Sequence, residues 1–79
     1  MYYVYILRCS DDSLYTGTTN DVQRRLKVHE SGKGSKYVRA KSPFKLVYQE
    51  EVADKSAALK REAAIKKMKK EEKLLLLMQ

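Results

Sequence analysis

The seventeen residues "LYTGTTNDVQRRLKVHE" (14–30) hold Tyr15, Gly17, the paired arginines Arg24 and Arg25, and His29, the only histidine of the chain. A segment that only stabilised a fold would not need this set. It suits either a surface that holds nucleic acid or a site that cuts it. Arg25 and His29 are four residues apart in a segment with helical punctuation, so they stack along one line of a helix. Far away in sequence, Glu62 follows Ala58 and Leu59 by four and three positions and precedes Ile65 by three. Its carboxylate therefore falls within an apolar stripe. There it loses hydration unless a cation compensates: a metal, Arg25 or another base.

Composition narrows the classes of function. The chain has 79 residues, 17 Lys plus Arg against 10 acids, and a formal charge of +7. Its length corresponds to a single domain (1–79) near the lower limit for a core without staples, so a shallow site is expected rather than an enclosed pocket. Its charge favours a polyanionic partner, because counterion release drives binding to a phosphate backbone. Cys9 is the single cysteine, so no disulfide forms within the chain, which suits a reducing cytoplasm. It ends an apolar strand pattern and reads as a small hydrophobe rather than a nucleophile. One Cys and one His cannot supply the four ligands of a structural zinc. "MYYVYILRCS" has no basic leader, and "LLLL" (74–77) is far short of the ~20 residues of a membrane span. The expectation is a cytoplasmic protein with no membrane partner.

The elements that must position these residues follow from pattern. "YYVYILRC" (2–9) is aromatic and β-branched with little polar alternation, which predicts a central strand covered on both faces. "SDDS" turns the chain and "LYTGT" (14–18) makes the second strand of a hairpin. A three-residue loop (Asp11, Asp12, Ser13) would pair Cys9 with Tyr15 and set Tyr5 and Tyr15 on one face. A two-residue loop would set them on opposite faces. Without a glycine at Asp12-Ser13 the longer loop is favoured. Thr19 or Asn20 caps the next helix, Val22 and Leu26 form its inward stripe, and Gly32 stops it. "GKGSKYVRAKSP" (32–43) is expected as a loop. Lys33, Lys36, Arg39 and Lys41 surround Tyr37 in it, a combination that offers charge for phosphate and a ring face for a base. Tyr37 reads equally well as covering the edge of the core. "FKLVYQEEV" (44–52) is a third strand. Asp54 or Ser56 opens a long helix, with a bend at "KKEEK" and a short extra helix at the end. The class is α+β, in the order β-β-α-β-α, with a core over about 2–67 and a helical extension over 68–79.

In this order and spacing, the pieces resemble the GIY-YIG nuclease superfamily, in its short single-domain bacterial branch of unassigned function. "YVY" (3–5) matches the first signature and "YTG" (15–17) the second, ten residues later. Arg25, His29 and Glu62 fall where the family has its helical arginine, a further aromatic or histidine, and the acid of a late helix. The resemblance covers about Tyr2 to Lys67. It implies a three-stranded antiparallel sheet flanked by helices and metal-dependent cleavage of DNA phosphodiesters. Carried over, it makes Tyr5 and Tyr15 the catalytic tyrosines and Gly17 the motif glycine. Arg25 would contact the scissile phosphate, His29 would assist proton transfer, and Glu62 would hold a divalent metal, Mg2+ with Mn2+ as a substitute. A metal and a guanidinium aimed at the phosphoryl oxygens stabilise the charge that builds there. A free phenol, with a pKa of ~10, is a poor base near neutrality. A nearby cation and His29 would have to help it. Tyr5 is expected as the base or water-orienting group, and Tyr15 as a phosphate or water contact.

Three positions depart from the pattern. Tyr3 stands where the first signature has glycine, Thr16 replaces an isoleucine, and Thr18 stands where many relatives carry lysine. The expected activity is an endonuclease on branched, nicked or single-stranded DNA, with RNA as a further substrate class. The alternative is a nucleic-acid-binding module of weak or no catalysis that works with a partner protein. That partner would be held by the "LLLLM" tail unless the tail folds back on the sheet.

Overall fold

A computed structural model describes residues 1–78 of the chain. The described elements are β1 (Tyr2–Arg8), β2 (Leu14–Thr19), α1 (Val22–Glu30), α2 (Lys36–Ala40), β3 (Lys45–Val52), α3 (Lys55–Lys66) and α4 (Lys70–Leu77). The three strands form one antiparallel sheet in the order β2-β1-β3, so the apolar first strand is central, as its lack of alternation predicts. The fold is α+β.

The hairpin sets Tyr5 and Tyr15 on one face, but its register differs by two residues from the expected one. Leu7, not Cys9, lies opposite Tyr15, and Tyr5 lies opposite Gly17. The reason is the turn. The Asp12 amide donates to the Cys9 carbonyl at 3.0 Å, and the Cys9 amide donates to the Ser13 carbonyl at 2.9 Å. The loop is therefore Ser10–Asp12, with Asp12 at φ 67° in the left-handed region that Asp tolerates. On the other side of β1 the register slips between Ile6 and Leu7, where Val47 is the extra residue of a bulge.

Alternate residues of β1 divide the interior in two. Val4 and Ile6 pack against Ala58 and Ile65 of α3 and Leu76 of α4. Tyr5 and Leu7 pack on the other side against Val38 of α2, with Leu26 of α1, Tyr15, Phe44 and Leu46 around them. The tail folds back, since Leu76 and Leu77 complete the first cluster while Leu74, Leu75 and Met78 stay exposed. Gln79, the last residue of the expected extension, lies outside the described residues.

Two local expectations are corrected and a third is met. Asp21, not Thr19 or Asn20, caps α1: its carboxylate accepts from the Arg24 amide at 3.1 Å. Thr19 is still strand, and its hydroxyl accepts from the Asp21 amide. The basic segment 32–43 is not all loop, because Ser35 accepts from the Tyr37 amide and starts the short helix α2. The last helical stretch is two helices, as the break at "KKEEK" predicts. Asp54 caps α3, and after Lys67 the Glu72 carboxylate accepts from the Lys69 amide to start α4.

Candidate active site

The face of the sheet under α1 and α2 gathers the chemically capable side chains. Tyr5 rises from the middle of β1, directly across from Gly17 on β2. A Cβ built on Gly17 would lie 2.6 Å from the Tyr5 hydroxyl and 2.7 Å from its Cζ, so the phenol lies over bare backbone there. This close approach, rather than a turn, is what requires glycine at position 17.

The Tyr5 hydroxyl reaches His29 Nε2 at 3.0 Å. His29 sits in the last turn of α1, which a Schellman motif closes: the Gly32 amide donates to the His29 carbonyl (3.1 Å) and the Lys33 amide to the Val28 carbonyl (3.3 Å). Gly32 has φ +78°, the left-handed conformation this motif needs. The imidazole is packed edge-on by Tyr15 (centroids 5.7 Å apart) and by Phe44 (5.8 Å). Gly34 closes over its far edge, where a Cβ would lie 2.5 Å from Nδ1. Nδ1 is buried and has no hydrogen-bond partner among the described residues. Leaving a buried polar atom unpaired costs about 1–3 kcal/mol, and such atoms in native folds call for a functional or structural reason.

Electrostatics follow from this burial. Desolvation, and then the charge of Arg25, hold His29 below its ordinary value, so the ring is neutral at pH 7. Its place at a helix C-terminus would favour the imidazolium, but desolvation outweighs that. The Tyr5 hydroxyl is pushed above the ordinary phenol range, mainly by burial and then by Tyr15. Arg25 opposes this shift, and Glu62 adds to it. Both charges are thus within electrostatic reach of Tyr5, so residues from β1, β2, α1 and α3 converge.

Burial sorts the two tyrosines. Tyr5 is 1% exposed, with its hydroxyl taken by His29. Tyr15 is half-buried, and among the described residues its hydroxyl has no hydrogen-bond partner. The phenol that faces solvent is therefore Tyr15, whereas the water-orienting role was expected at Tyr5. Arg25 is exposed. Glu62 is partly buried with its side chain 20% exposed, and it pairs with Lys66 Nζ at 3.3 Å rather than with Arg25.

Glu62 is a carboxylate whose charge reaches Tyr5, and among the described residues no group of three or more His, Cys, Asp or Glu could hold a metal. A single carboxylate suits a hydrated Mg2+ or Mn2+, which keeps several waters and takes further oxygens from a phosphate. It does not suit a metal held wholly by protein.

The five basic-loop residues separate into two groups. Tyr37 stacks on Tyr15 (centroids 5.9 Å apart, 29° between planes), and Lys41 Nζ lies 4.4 Å from the Tyr37 ring centroid. Lys41 also pairs with Asp11 at 2.8 Å. Both side chains are therefore engaged in holding α2 and the hairpin turn against the site. Lys33, Lys36 and Arg39 point charge at solvent. Sequence reasoning missed Phe44, Gly34 and the Tyr15–Tyr37 stack. The second glycine of "GKG" was the available signal for a close approach, and nothing local marks the other two.

The family model for the GIY-YIG catalytic domain matches residues 1–74. UPF0213 protein OB0043 of Oceanobacillus iheyensis is 50% identical over 76 residues, 96% of this chain and 88% of that protein. A UPF0213 protein of Syntrophus aciditrophicus is 55% identical over 78 residues, 98% of this chain and 90% of that one. The solution NMR structure of UPF0213 protein BH0048 from Bacillus halodurans superposes with a TM-score of 0.64 at 46% identity, over 99% of this chain and 84% of that one. The NMR structure of EF2693 from E. faecalis gives 0.64 at 40% identity, over 95% and 81%.

Proposed function

The chain belongs to the GIY-YIG catalytic-domain family, a family of nucleases, and on that premise we propose that it is an endonuclease that hydrolyses DNA phosphodiester bonds with a divalent metal. The observation that carries the reading is convergence. Tyr5, Tyr15 and His29 form one ring cluster, and the charges of Arg25 and Glu62 both act on it. The Arg25 guanidinium binds the reacting phosphate and meets the charge that develops on its oxygens. Glu62, now paired with Lys66, is the residue that would hold the metal. A divalent ion there would supply Lewis-acid stabilisation of the same oxygens. Tyr15 offers its free hydroxyl to the attacking water or to the phosphate. The Tyr5–His29 pair sits behind it and fixes the rings, with the imidazole held neutral by burial and by Arg25. Lys33, Lys36 and Arg39 add affinity for the backbone but make few base-edge contacts.

One observation favours a second reading. The Tyr5 hydroxyl and His29 Nε2 are occupied by each other and buried, as they would be in a nucleic-acid-binding module that keeps the scaffold without useful catalysis. A substrate panel separates the two. Supercoiled plasmid, nicked, branched and single-stranded DNA, and RNA are incubated with Mg2+, with Mn2+ and with a chelator, beside a folded Glu62→Ala variant. Metal-dependent cleavage that falls at least ~10²-fold in the variant supports the enzyme. Salt-sensitive binding without cleavage supports the module.

A further inference from the structure

Of the five arginines, Arg8 pairs with Asp12 and Arg61 with Glu50. Among the described residues, Arg24, Arg25 and Arg39 have no carboxylate within 4.0 Å. These three line two cavities of the surface. Arg39 lines one of about 410 Å³ with His29 and Phe44. Arg24 and Arg25 line the other, of about 420 Å³, with Thr19, Asn20 and Val28. The second cavity follows a single face of α1, because Asp21, Arg24, Arg25 and Val28 are spaced i, i+3, i+4 and i+7. Arg25 belongs both to this cavity and to the charge environment of Tyr5 and His29, so the cavity continues from the reacting position. Its attraction for anions comes from side chains and not from the helix end: the Arg24 amide is already taken by the Asp21 carboxylate and the Arg25 amide by the Asp21 carbonyl, both at 3.1 Å.

We propose that this cavity is a second phosphate subsite, in which Arg24, with the Asn20 side chain beside it, holds a nucleic-acid phosphodiester flanking the one at Arg25. The inference rests on the nuclease reading above and extends it to the path of the substrate. The strand crosses α1 with its reacting phosphate at Arg25, one flank at Arg24 and the other toward Arg39. Two forked guanidiniums one residue apart, neither with a carboxylate within 4.0 Å among the described residues although Asp21 lines the same cavity, suit two successive anions on one chain better than a single point charge does.

The test is binding of a labelled oligonucleotide, read by fluorescence anisotropy in chelator so that no cleavage intervenes, across a salt series. Lys27→Gln is the control, since it removes the same charge from an exposed position of α1 outside the cavity. Arg24→Gln is expected to weaken binding about fivefold at low salt and to lower the slope of log K against log salt by about one. Arg24→Lys is expected to keep the slope, and Lys27→Gln to change affinity less than about twofold. Arg24→Gln indistinguishable from Lys27→Gln, or weakened with an unchanged slope, overturns the subsite and leaves the nuclease reading standing. Wild-type binding that ignores salt overturns both.

Discussion

The two faces of the central strand have the same backbone and opposite chemistry. Val4 and Ile6 meet Ala58, Ile65 and Leu76, and among the described residues the one buried polar side-chain atom without a partner on that side is the hydroxyl of Thr16, across from Ile6. Tyr5 and Leu7 meet a layer that contains a buried imidazole, the rings of Tyr15 and Tyr37 and two neighbouring charges. The first face is packed for stability. The second gives up apolar contacts to keep a neutral histidine dry and an unpaired Nδ1 buried. A domain of this size has little stability to spare, so a polar cluster of this kind in half of its core is best explained by function.

If the division is real, damage to the two faces should read out differently. Ile65→Ala, which empties a fully buried site beneath the sheet, is expected to lower the unfolding free energy by about 2–5 kcal/mol. By denaturant titration that is most of the stability of so small a domain. Equal stability of the variant would mean that α3 is not packed as described. Gly17→Ala acts on the other face. Its methyl group must displace the Tyr5 ring, at a cost of about 1–3 kcal/mol. Cleavage is expected to fall by about 10²-fold, because the reacting groups are misplaced. An active Gly17→Ala protein would show that the Tyr5–His29 geometry does not matter.

The smallest effect is a pH dependence. His29 lies below its ordinary value of 6.5, through burial first and Arg25 second. The unfolded chain therefore binds a proton at His29 at a pH where the folded chain does not. The contribution is complete above the unfolded value and is lost as pH falls through 6.5 toward the lower folded value. Urea midpoints measured between pH 7.5 and 5.5 should fall in the wild type, and less in His29→Gln. The same fall in both proteins would assign the dependence to other groups.

Pattern alone disclosed the central strand and the break at "KKEEK", because an unbroken apolar run and a charge run are local signals. The shared face of Tyr5 and Tyr15 was only favoured, since it turned on the length of the loop. The hairpin register was not legible, because it depends on Asp12 adopting a left-handed conformation that Asp tolerates but does not demand. Helix α2 was hidden because its five residues carry one buried apolar side chain, Val38, and so have no period. Spacing placed Glu62 near the sheet, but its pairing with Lys66, one turn along the same helix, was only one of several partners that spacing allowed. The roles of the tyrosines turn on burial, and burial is a property of the assembled fold: Tyr37 packs onto Tyr15 only because Lys41 and Asp11 tie α2 to the hairpin turn.

The most direct test of the account is the single-turnover cleavage rate of Tyr15→Phe, measured with Mg2+ on the best substrate of the panel and beside its melting temperature. The variant keeps the ring that packs on His29 and Tyr37 and removes only the hydroxyl that faces solvent. The account predicts a rate lower by at least ~10²-fold with the melting temperature unchanged. Wild-type cleavage by Tyr15→Phe would contradict it and would move the chemistry away from the aromatic face.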